Sequence, residues 1–564
     1  MARVVGIGHQ DFEKVRVNHN FYIDKTAFIK EWWEACDDVT LITRPRRFGK
    51  TLNMSMVEQF FSVRYAGRGE LFEGLSIWQE EKYRKLQGTW PVISLSFANI
   101  KDPDYITMRK KICQILAEQY SRHSYLLDAN LLDDKERDFF MKVSADMDDV
   151  KATLSLHYLA NFLSRYYGKK VIILLDEYDT PMQEAYVDGF WEELVSFIRS
   201  LLNAAFKTNP YLERAIMTGI TRVSKESVFS DLNNLTVVTT TSEKYAQCFG
   251  FTEEEVFAAL EEYGLSNKKA DVKRWYDGFV FGKVRDIYNP WSIINYLDNK
   301  ELTSYWANTS SNSLAGKLIR EGSSDVKKDF EDLISGKSLQ KIIDEQIVFN
   351  QLSEDENAIW SLLLASGYLK VDSYEYDDFT GEKIYQLSLT NREVTIMFRN
   401  LIRGWFTRKE TGYHAFIKAL LMDDLDAMNE YMNQVALTTF SYFDTGEKPS
   451  KEDPERFYHG FVLGLMMDLA DRYAITSNRE SGFGRYDVVL EPLKPGLDAM
   501  IIEFKVFKPK REKNLEETVQ NALLQIEQKK YETELIARGI PKEQIRKYGF
   551  AFKGKTVLIG SMRF

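Results

Sequence analysis

The chain has 564 residues, of which 44% are hydrophobic and 28% charged. This length predicts roughly three or four domains at about 150 residues each, and the composition excludes a largely disordered protein. The net charge of −10 argues against a protein that coats nucleic acid with its whole surface. Charge is local, however: residues 500–564 contain 14 Lys/Arg and 8 Asp/Glu, and this net charge of +6 suits contact with a polyanion.

The cysteine content and the apolar runs indicate the compartment. Three widely separated cysteines, Cys36, Cys113 and Cys248, predict a reducing environment and argue against a structural zinc site. The first residues, MARVVGIGHQDF, lack the apolar run of a signal peptide. No segment approaches the roughly 18 consecutive apolar residues of a membrane span. We therefore expect a cytoplasmic protein with no membrane partner.

The first 250 residues alternate strand and helix patterns. The predicted strands are apolar enough to be covered on both faces, and they lie at 40–45 (TLITRP), 90–100 (WPVISLSFANI), 169–179 (KKVIILLDEYD) and 212–223 (LERAIMTGITRV). Helical patterns such as 105–120 and 190–206 lie between them. This alternation predicts an α/β fold with a mainly parallel sheet wrapped by helices.

From about residue 252 to 345 the pattern becomes helical, beginning with TEEEVFAALEEYG, in which threonine and a glutamate three residues later predict a capping box. Residues 357–403 predict a helix, a hairpin and a helix, the order of a winged-helix-like module. We expect this module to act as a spacer rather than as a reader of DNA. Further helices extend to about residue 440, and the polar stretch 444–454 predicts a linker.

The segment RPRRFGKTLNM, residues 44–54, ends like a phosphate-binding loop, but Arg44 replaces the first glycine of that pattern. A predicted strand precedes it and a helical pattern follows, which is the context that such a loop requires. Gly49 would let the backbone approach an anion, Lys50 would reach the β- and γ-phosphates, and Thr51 would bind Mg²⁺. The alternative is a chance Gly-Lys-Thr beside a basic run.

A second motif favours the nucleotide site. VIILLDEYD predicts a buried strand that ends in Asp176 and Glu177. Such a strand delivers an aspartate to the metal, and the glutamate can polarise the attacking water. The alternative is a buried strand whose exit happens to be acidic. Thr218, at the end of the next strand, is a candidate γ-phosphate sensor, and Arg222 is a candidate contact to the same phosphate. Hydrogen bonding within a turn is the alternative for both.

Nearly the whole chain resembles the bacterial AAA-ATPase-like proteins whose C-terminal domain belongs to the PD-(D/E)XK nuclease superfamily. The resemblance rests on the two motifs above and on the segments YIDKTAFI, TGITRVSKESVFSDLNNL, YDGFVFG, YNPWSIINYL and YWANTSSNSL. An arginine begins the loop in that family, so Arg44 is compatible with an ATP site. The resemblance implies a P-loop NTPase domain with a parallel sheet, a helical and winged-helix-like middle region, and a C-terminal α/β restriction-endonuclease-like domain. The expected boundaries are 1–250 for the ATPase domain, 251–350 for a helical lid, 351–445 for the winged-helix-like connecting region and 446–564 for the nuclease-like domain.

The resemblance also implies ATP and Mg²⁺ as cofactors. Glu177 is the predicted catalytic residue of this site, and Thr51 and Asp176 are its predicted metal ligands. The implied nucleotide-binding residues are Arg47, Phe48, Gly49, Lys50, Thr51, Asp176, Thr218 and Arg222.

Residues 485–506 (RYDVVLEPLKPGLDAMIIEFKV) predict a hairpin of two apolar strands. Asp487 begins the first strand, and Glu503 and Lys505 on the second project from the same face. Two carboxylates and a lysine on adjacent strands can hold Mg²⁺, for which Mn²⁺ can substitute, and orient a water against a phosphodiester. The alternative is an outward charged face, but charges that interrupt apolar strands are costly. This is the Asp…Glu-x-Lys pattern of the nuclease superfamily, so these three residues are the predicted catalytic set and the two carboxylates the predicted metal ligands.

Flanking segments add further candidates. Glu455, on the helical stretch 455–470, is a fourth candidate metal ligand, because a glutamate of the first helix often joins the metal in the superfamily. His459, one turn later, is more simply structural. The basic run KVFKPKREK suits contact with a nucleic-acid backbone, with a solvated loop as its alternative, and Gln525 with Tyr531 resembles the glutamine-and-tyrosine helix of the superfamily. The predicted nucleic-acid-binding residues are Lys508, Lys510, Arg511 and Gln525.

The leading hypothesis is an ATPase coupled to a Mg²⁺-dependent endonuclease that acts on DNA rather than RNA. A homo-oligomer is one expected assembly, and a monomer in the resting state is the alternative. One alternative is a STAND-like, ATP-operated switch whose C-terminal domain binds nucleic acid without cutting it. Another is an active nuclease with a degenerate nucleotide site. By analogy with comparable NTPase–nuclease fusions, the expected role is in defence or in conflict with mobile elements.

Overall fold

The structure is a computed structural model. It describes residues 2–222, 229, 232–307, 316, 318–319, 324–334, 336–344, 356–379, 381–404, 413–440, 466, 469, 472–477, 480–481, 484–485, 487–494, 497–554 and 556–562. The chain divides into two compact units. The N-terminal unit comprises Met1–Leu318 and Ser338–Val394, and the C-terminal unit comprises Ile319–Lys337 and Thr395–Phe564.

Helices and strands alternate over most of the described chain. The α-helices are α1 (Phe12–Val17), α2 (Ala27–Ala35), α3 (Lys50–Phe61), α4 (Glu81–Arg84), α5 (Tyr105–Arg122), α6 (Asp134–Met141), α7 (Asp149–Tyr167), α8 (Thr180–Asp188), α9 (Trp191–Phe206), α10 (Glu253–Glu262), α11 (Lys269–Tyr276), α12 (Pro290–Asn299), α13 (Ser324–Ile334), α14 (Glu356–Ala365), α15 (Arg392–Gly404), α16 (Tyr413–Met422), α17 (Leu425–Phe440), α18 (Leu515–Lys529) and α19 (Thr533–Ala537). The strands are β1 (Val39–Thr43), β2 (Val92–Ser96), β3 (Val171–Asp176), β4 (Leu212–Gly219), β5 (Leu235–Val238), β6 (Phe251–Thr252), β7 (Phe279–Phe281), β8 (Val284–Tyr288), β9 (Leu339–Ile342), β10 (Leu369–Tyr376), β11 (Lys383–Leu389), β12 (Tyr473–Ser477), β13 (Glu480–Ser481), β14 (Gly484–Arg485), β15 (Val488–Pro492), β16 (Ala499–Val506), β17 (Ile545–Lys553) and β18 (Thr556–Met562).

A five-stranded parallel sheet organises the N-terminal unit, with the strand order β2-β3-β4-β1-β5. Every residue of β1 and of β3 is buried, as expected for parallel strands covered by helices on both faces. Thr43 pairs with Gly219 and Ser96 pairs with Asp176, so the carboxyl ends of these strands meet at one edge of the sheet. The predicted parallel α/β fold is confirmed, and this edge is where such sheets place their ligands.

The rest of the N-terminal unit is built from smaller modules. Strands β6, β7 and β8 form an antiparallel sheet beside α10–α12, and α10 begins with the predicted capping box between Thr252 and Glu255. Helix α14, the hairpin β10–β11 and helix α15 follow one another as predicted, and β9 extends the hairpin to three strands. Helix α15 begins in this unit and belongs to the C-terminal unit from Thr395 onward.

A buried carboxylate ties the start of α15 to the α12 region. Glu393 accepts hydrogen bonds from the Ser292 hydroxyl at 2.9 Å and from the Trp306 amide at 2.7 Å, and it also accepts one from the Tyr305 amide. Its side chain is fully buried, and burial raises its pKa to about 7, although these hydrogen bonds lower the pKa in part.

Because the pKa of Glu393 is higher in the folded than in the unfolded chain, the free energy of unfolding falls as pH rises between about 4.5 and about 7. Glu393→Gln removes this titration, so the variant is expected to gain stability relative to the wild type from about pH 5 to about pH 8, by on the order of 2 kcal/mol. Denaturant unfolding across this range measures the difference. The exposed Glu301→Gln is the control, and parallel pH profiles for wild type and Glu393→Gln would contradict the prediction.

The C-terminal unit is organised by a mixed sheet with the order β12-β15-β16-β17-β18, in which β16 and β17 are parallel and the other pairs antiparallel. The predicted hairpin at 485–506 is present as β15 and β16. Helix α18 packs on one face of the sheet, and α16 and α17 pack on the other. Gly549 permits the approach of α18, because a Cβ at this position would lie 2.9 Å from the Val519 carbonyl oxygen.

Every helix in the described ranges is too short or too polar to span a bilayer.

Candidate functional site

The phosphate-loop motif occupies the strand–loop–helix position that the sequence predicts. Strand β1 ends at Thr43, and α3 begins at Lys50. Gly49 precedes the helix with φ 81°, a left-handed conformation that glycine adopts without a Cβ penalty. The amino end of α3 therefore faces the carboxyl edge of the sheet, where its amide groups and dipole favour an anion.

Lys50 is buried within its own loop. Its ammonium group donates to the Arg44 carbonyl at 2.8 Å and to the Pro45 carbonyl at 2.9 Å. Burial lowers the pKa of Lys50, and the nearby carboxylates of Glu177 and Asp176 oppose this effect. The lysine thus places a cation between the loop backbone and the acidic end of β3.

Asp176 connects the loop helix to the next strand. Its carboxylate accepts a hydrogen bond from the Thr51 hydroxyl at 2.7 Å and another from the Thr218 hydroxyl. Burial raises the pKa of Asp176, and the two hydroxyl groups lower it. A carboxylate and a hydroxyl on adjacent elements form an oxygen donor set that suits Mg²⁺ together with a phosphate. The residues therefore fit the ion that the motif implies.

Glu177 adopts φ 51°, an uncommon left-handed conformation for a residue other than glycine. Its amide donates to the Thr218 hydroxyl oxygen at 3.3 Å, and its carboxylate accepts from the Thr180 hydroxyl at 3.2 Å. Glu177 remains close enough to Asp176 for its charge to raise the pKa of that carboxyl group. Non-glycine residues in this conformation are enriched at functional sites.

Arg44, which replaces the first loop glycine, is a buried structural residue. Its guanidinium donates to the carbonyl oxygens of Thr43 at 2.9 Å and Thr239 at 2.6 Å, and it lies 4.5 Å from the ring centre of Phe281. Burial lowers its pKa to about 10. Arg44 therefore braces the loop against the segment that follows β5.

The remaining predicted nucleotide contacts differ in their surroundings. The Phe48 side chain is buried against Phe279 and Phe281, so any contact with a nucleotide would come from its main chain. Arg47 is exposed and stacks on Trp291. Arg222 is half-buried and lies three residues beyond the end of β4.

The sequence motifs did not identify Asp179 as part of this site. Its buried carboxylate accepts hydrogen bonds from the amides of Ile220 at 3.0 Å and Thr221 at 2.9 Å, and from the Thr221 hydroxyl at 2.9 Å. It therefore fixes the loop that follows Thr218. The sequence signal for Asp179 was its position only three residues after Asp176 in LLDEYD. A carboxylate so close to the end of a buried strand is less exposed to solvent than one in a surface turn.

The C-terminal unit brings the predicted catalytic triad together. Val488 pairs with Ile502, so Asp487 and Glu503 lie side by side on adjacent strands. The Asp487 carboxylate accepts from the Phe504 amide at 2.7 Å. The Lys505 ammonium lies 3.6 Å from a carboxylate oxygen of Glu503. Sequence spacing and strand register together account for this arrangement.

Glu503 has the most perturbed environment of this site. Its side chain is 3% exposed, one carboxylate oxygen accepts from the Gln525 amide group, and the other oxygen is buried without a hydrogen-bond partner among the described residues. Burial and the neighbouring charge of Asp487 raise its pKa to about 9, while Lys505 lowers it. A divalent cation would satisfy the unpartnered oxygen and ionise the group, so the residues fit a metal ion.

Helix α18 supplies the residue that joins the triad. The Gln525 carbonyl oxygen accepts from the Lys505 ammonium at 2.6 Å, and its amide group donates to the Tyr531 hydroxyl at 3.1 Å as well as to Glu503. Tyr531 is buried, and burial raises its pKa to about 12. Gln525 therefore lies at the acidic centre.

The predicted basic contacts follow strand β16. Lys508, Lys510 and Arg511 are exposed on the turn after β16, where the Arg511 amide donates to the Lys508 carbonyl at 2.8 Å. Glu455 and His459 fall outside the described residues.

With both sites in place, comparison with known proteins identifies the class of each segment. Residues 6–229 match the family model described as a predicted AAA-ATPase, and residues 453–562 match the model of the PD-(D/E)XK nuclease superfamily. The N-terminal segment is thus similar to predicted AAA-ATPases and the C-terminal segment to the PD-(D/E)XK nuclease superfamily, as the resemblance of the motifs predicted. It is also similar to a protein of Azotobacter chroococcum mcd 1 described as "Uncharacterized protein in vnfD 5'region", with 24% identity over 554 residues that cover 95% of this chain and 94% of that protein.

Proposed function

We propose that this protein binds and hydrolyses ATP and that its C-terminal unit is a Mg²⁺-dependent endonuclease that cuts DNA. The observation that supports the nuclease most strongly is the buried, unpartnered oxygen of Glu503 beside Asp487 and Lys505. An uncompensated carboxylate of this kind is costly in a purely structural site, but it is favourable where a cation binds.

At the N-terminal site, Thr51 and Asp176 would hold Mg²⁺, and the Lys50 ammonium would contact the β- and γ-phosphates. The ion, when bound, offsets charge on the phosphate oxygens. Glu177 accepts a proton from the attacking water, since its carboxylate follows the strand that ends in Asp176. Thr218 fixes Asp176 through its hydroxyl group and so connects the end of β4 to the metal ligand.

At the C-terminal site, Asp487 and Glu503 would hold the metal ion, with Glu455 as a proposed third ligand. The ion, when bound, lowers the pKa of a water molecule and polarises the phosphodiester. Lys505 orients the attacking water and stabilises negative charge on the phosphate. Gln525 bonds both Glu503 and Lys505 and so fixes their positions relative to each other. The exposed Lys508, Lys510 and Arg511 contact the nucleic-acid backbone.

A cleavage assay tests the proposal. Single-stranded DNA, double-stranded DNA and RNA are incubated with purified protein in Mg²⁺, Mn²⁺ or chelator, each with ATP, a non-hydrolysable analogue or no nucleotide. We expect metal-dependent cleavage of DNA that chelator abolishes and that ATP alters. Intact substrates under every condition would contradict the proposed nuclease activity.

The main alternative is an ATP-operated switch. It is favoured by the hydrogen bonds from Asn289 and Trp306 to the Arg46 carbonyl of the phosphate loop, because a nucleotide that moves this loop would also move the α12 region. Oligomerisation that requires ATP and is lost in Lys50→Ala, without cleavage, would select the switch. A homo-oligomer and a role in defence or mobile-element conflict are proposals at the same level.

A further inference from the structure

Two motifs, YNPW and YW, are explained by contacts with the phosphate loop. Asn289 is fully buried, and its side-chain oxygen caps α12 by accepting from the Trp291 amide at 2.9 Å. Its amide group donates to the Arg46 carbonyl at 3.3 Å, and the Trp306 indole N–H donates to the same carbonyl at 3.0 Å. Two donors thus hold one loop carbonyl, and they fix the backbone immediately before Arg47.

Arg47 is held by an aromatic ring. It has φ 66°, it is exposed, and its guanidinium carbon lies 4.4 Å from the ring centre of Trp291. A guanidinium stacked on an indole uses its flat face, so its N–H donors remain at the edge for a second partner. A planar fork of donors matches the oxygens of a phosphate group.

We propose that Trp291 positions Arg47 as a second cation for the nucleotide phosphates, and that α12 thereby distinguishes ATP from ADP. The inference rests on the proposed ATP binding at the same loop. Arg47 lies three residues before Lys50, on the loop whose backbone the α12 region fixes. The additional negative charge of a triphosphate interacts more strongly with an added cation than a diphosphate does.

The contact between Arg47 and Trp291 would connect a bound nucleotide to α12. With a nucleotide bound, Arg47 would have a phosphate at its edge and Trp291 at its face, so both partners would order the same side chain. Trp291 and Asn289 are two residues apart at the start of one helix. A change in the position of Arg47 would therefore act directly on the amino end of α12.

Calorimetric titration of the full chain with ADP and with a non-hydrolysable ATP analogue tests the proposal. We expect Arg47→Ala to weaken binding of the analogue about tenfold and binding of ADP by less than about threefold, in line with loss of one charge-assisted hydrogen bond. Trp291→Ala is expected to weaken binding of the analogue about threefold, the value of an exposed cation–π contact, while Trp291→Phe keeps most of the affinity. In the double variant the two losses of affinity should not add, because Trp291 acts through Arg47 and both substitutions therefore remove the same interaction with the phosphates.

A matched control exists in the same unit, where Arg392 lies 4.9 Å from the ring centre of Trp275. Trp275→Ala removes a similar stacking pair away from the loop and should leave both affinities unchanged. Equal losses for the two nucleotides, or additive effects in the double variant, would overturn the inference. Wild-type protein that binds neither nucleotide would instead overturn the proposed ATP site. Wild-type binding that Lys50→Ala abolishes and Arg47→Ala leaves intact would overturn this inference alone.

Discussion

Glu503→Gln is expected to abolish metal-dependent cleavage, with a loss of at least about 100-fold, while leaving the fold intact. The loss follows because an amide does not replace a carboxylate as a ligand of Mg²⁺ or as an acidic partner of Lys505. The fold survives because burial raises the pKa of Glu503 to about 9, so the group is neutral at neutral pH in metal-free buffer. Glutamine has the same shape and the same neutral charge.

Cleavage rates in Mg²⁺, with thermal unfolding of the same samples in chelator, measure both halves of this prediction. Glu516→Gln is the matched control, because Glu516 is an exposed carboxylate of the same unit at the start of α18. Lys505→Met should reduce cleavage by at least about 100-fold as well, since it removes the charge that stabilises the phosphate oxygens. Wild-type cleavage by Glu503→Gln would show that the acidic centre is not the nuclease site.

The sequence predicts most of the fold because its patterns are local. The apolar runs of β1, β3 and β4 are long enough to exclude exposed strands, and the carboxyl ends of neighbouring parallel strands must meet at one edge. The hydrogen bond between Thr51 and Asp176 follows from that rule, although 125 positions separate the two residues. The same reasoning places Glu503 beside Asp487, because a short turn fixes the register of a hairpin.

Contacts between segments distant in the chain are harder to predict. Nothing local in RPRRFGKT indicates that Arg44 is buried against Thr239, that Phe48 packs on Phe279, or that Arg46 is held by Trp306. The first contact depends on the segment that follows β5, and the other two depend on how the segment after residue 250 packs on the loop. Asp179 is similar, because its partners are amides of the next strand's loop and carry no signature in the sequence.

The two sites share one feature, a buried carboxyl group with a raised pKa. In each, the carboxyl group of a strand residue is buried, and burial raises its pKa more than the neighbouring positive charge lowers it. At Asp176 two hydroxyl groups offset part of that cost, whereas at Glu503 one oxygen lacks a partner among the described residues. A divalent cation would bring both carboxylates to their charged form, so metal binding and local stability should rise together.

Glu177→Gln is expected to preserve ATP binding and to reduce ATP turnover by at least about 100-fold, the usual contribution of a general base. Glutamine retains the size of the side chain and can still accept the hydrogen bond from Thr180, so the turn after β3 should be unchanged. It has no basic oxygen to accept a proton from water. Phosphate release measures turnover, and calorimetry with ATP measures binding.

Two further variants separate this result from general damage to the site. Lys50→Ala should lose binding and turnover together, because in the proposed site the lysine would contact the phosphates and because it also bonds two loop carbonyls. Glu192→Gln, an exposed carboxylate at the start of α9, should behave as wild type. Unchanged turnover in Glu177→Gln would assign the base elsewhere at this edge of the sheet. The next candidate there is Asp179, because its Oδ2 accepts from Ile220 and Thr221 while its buried Oδ1 has no hydrogen-bond partner among the described residues.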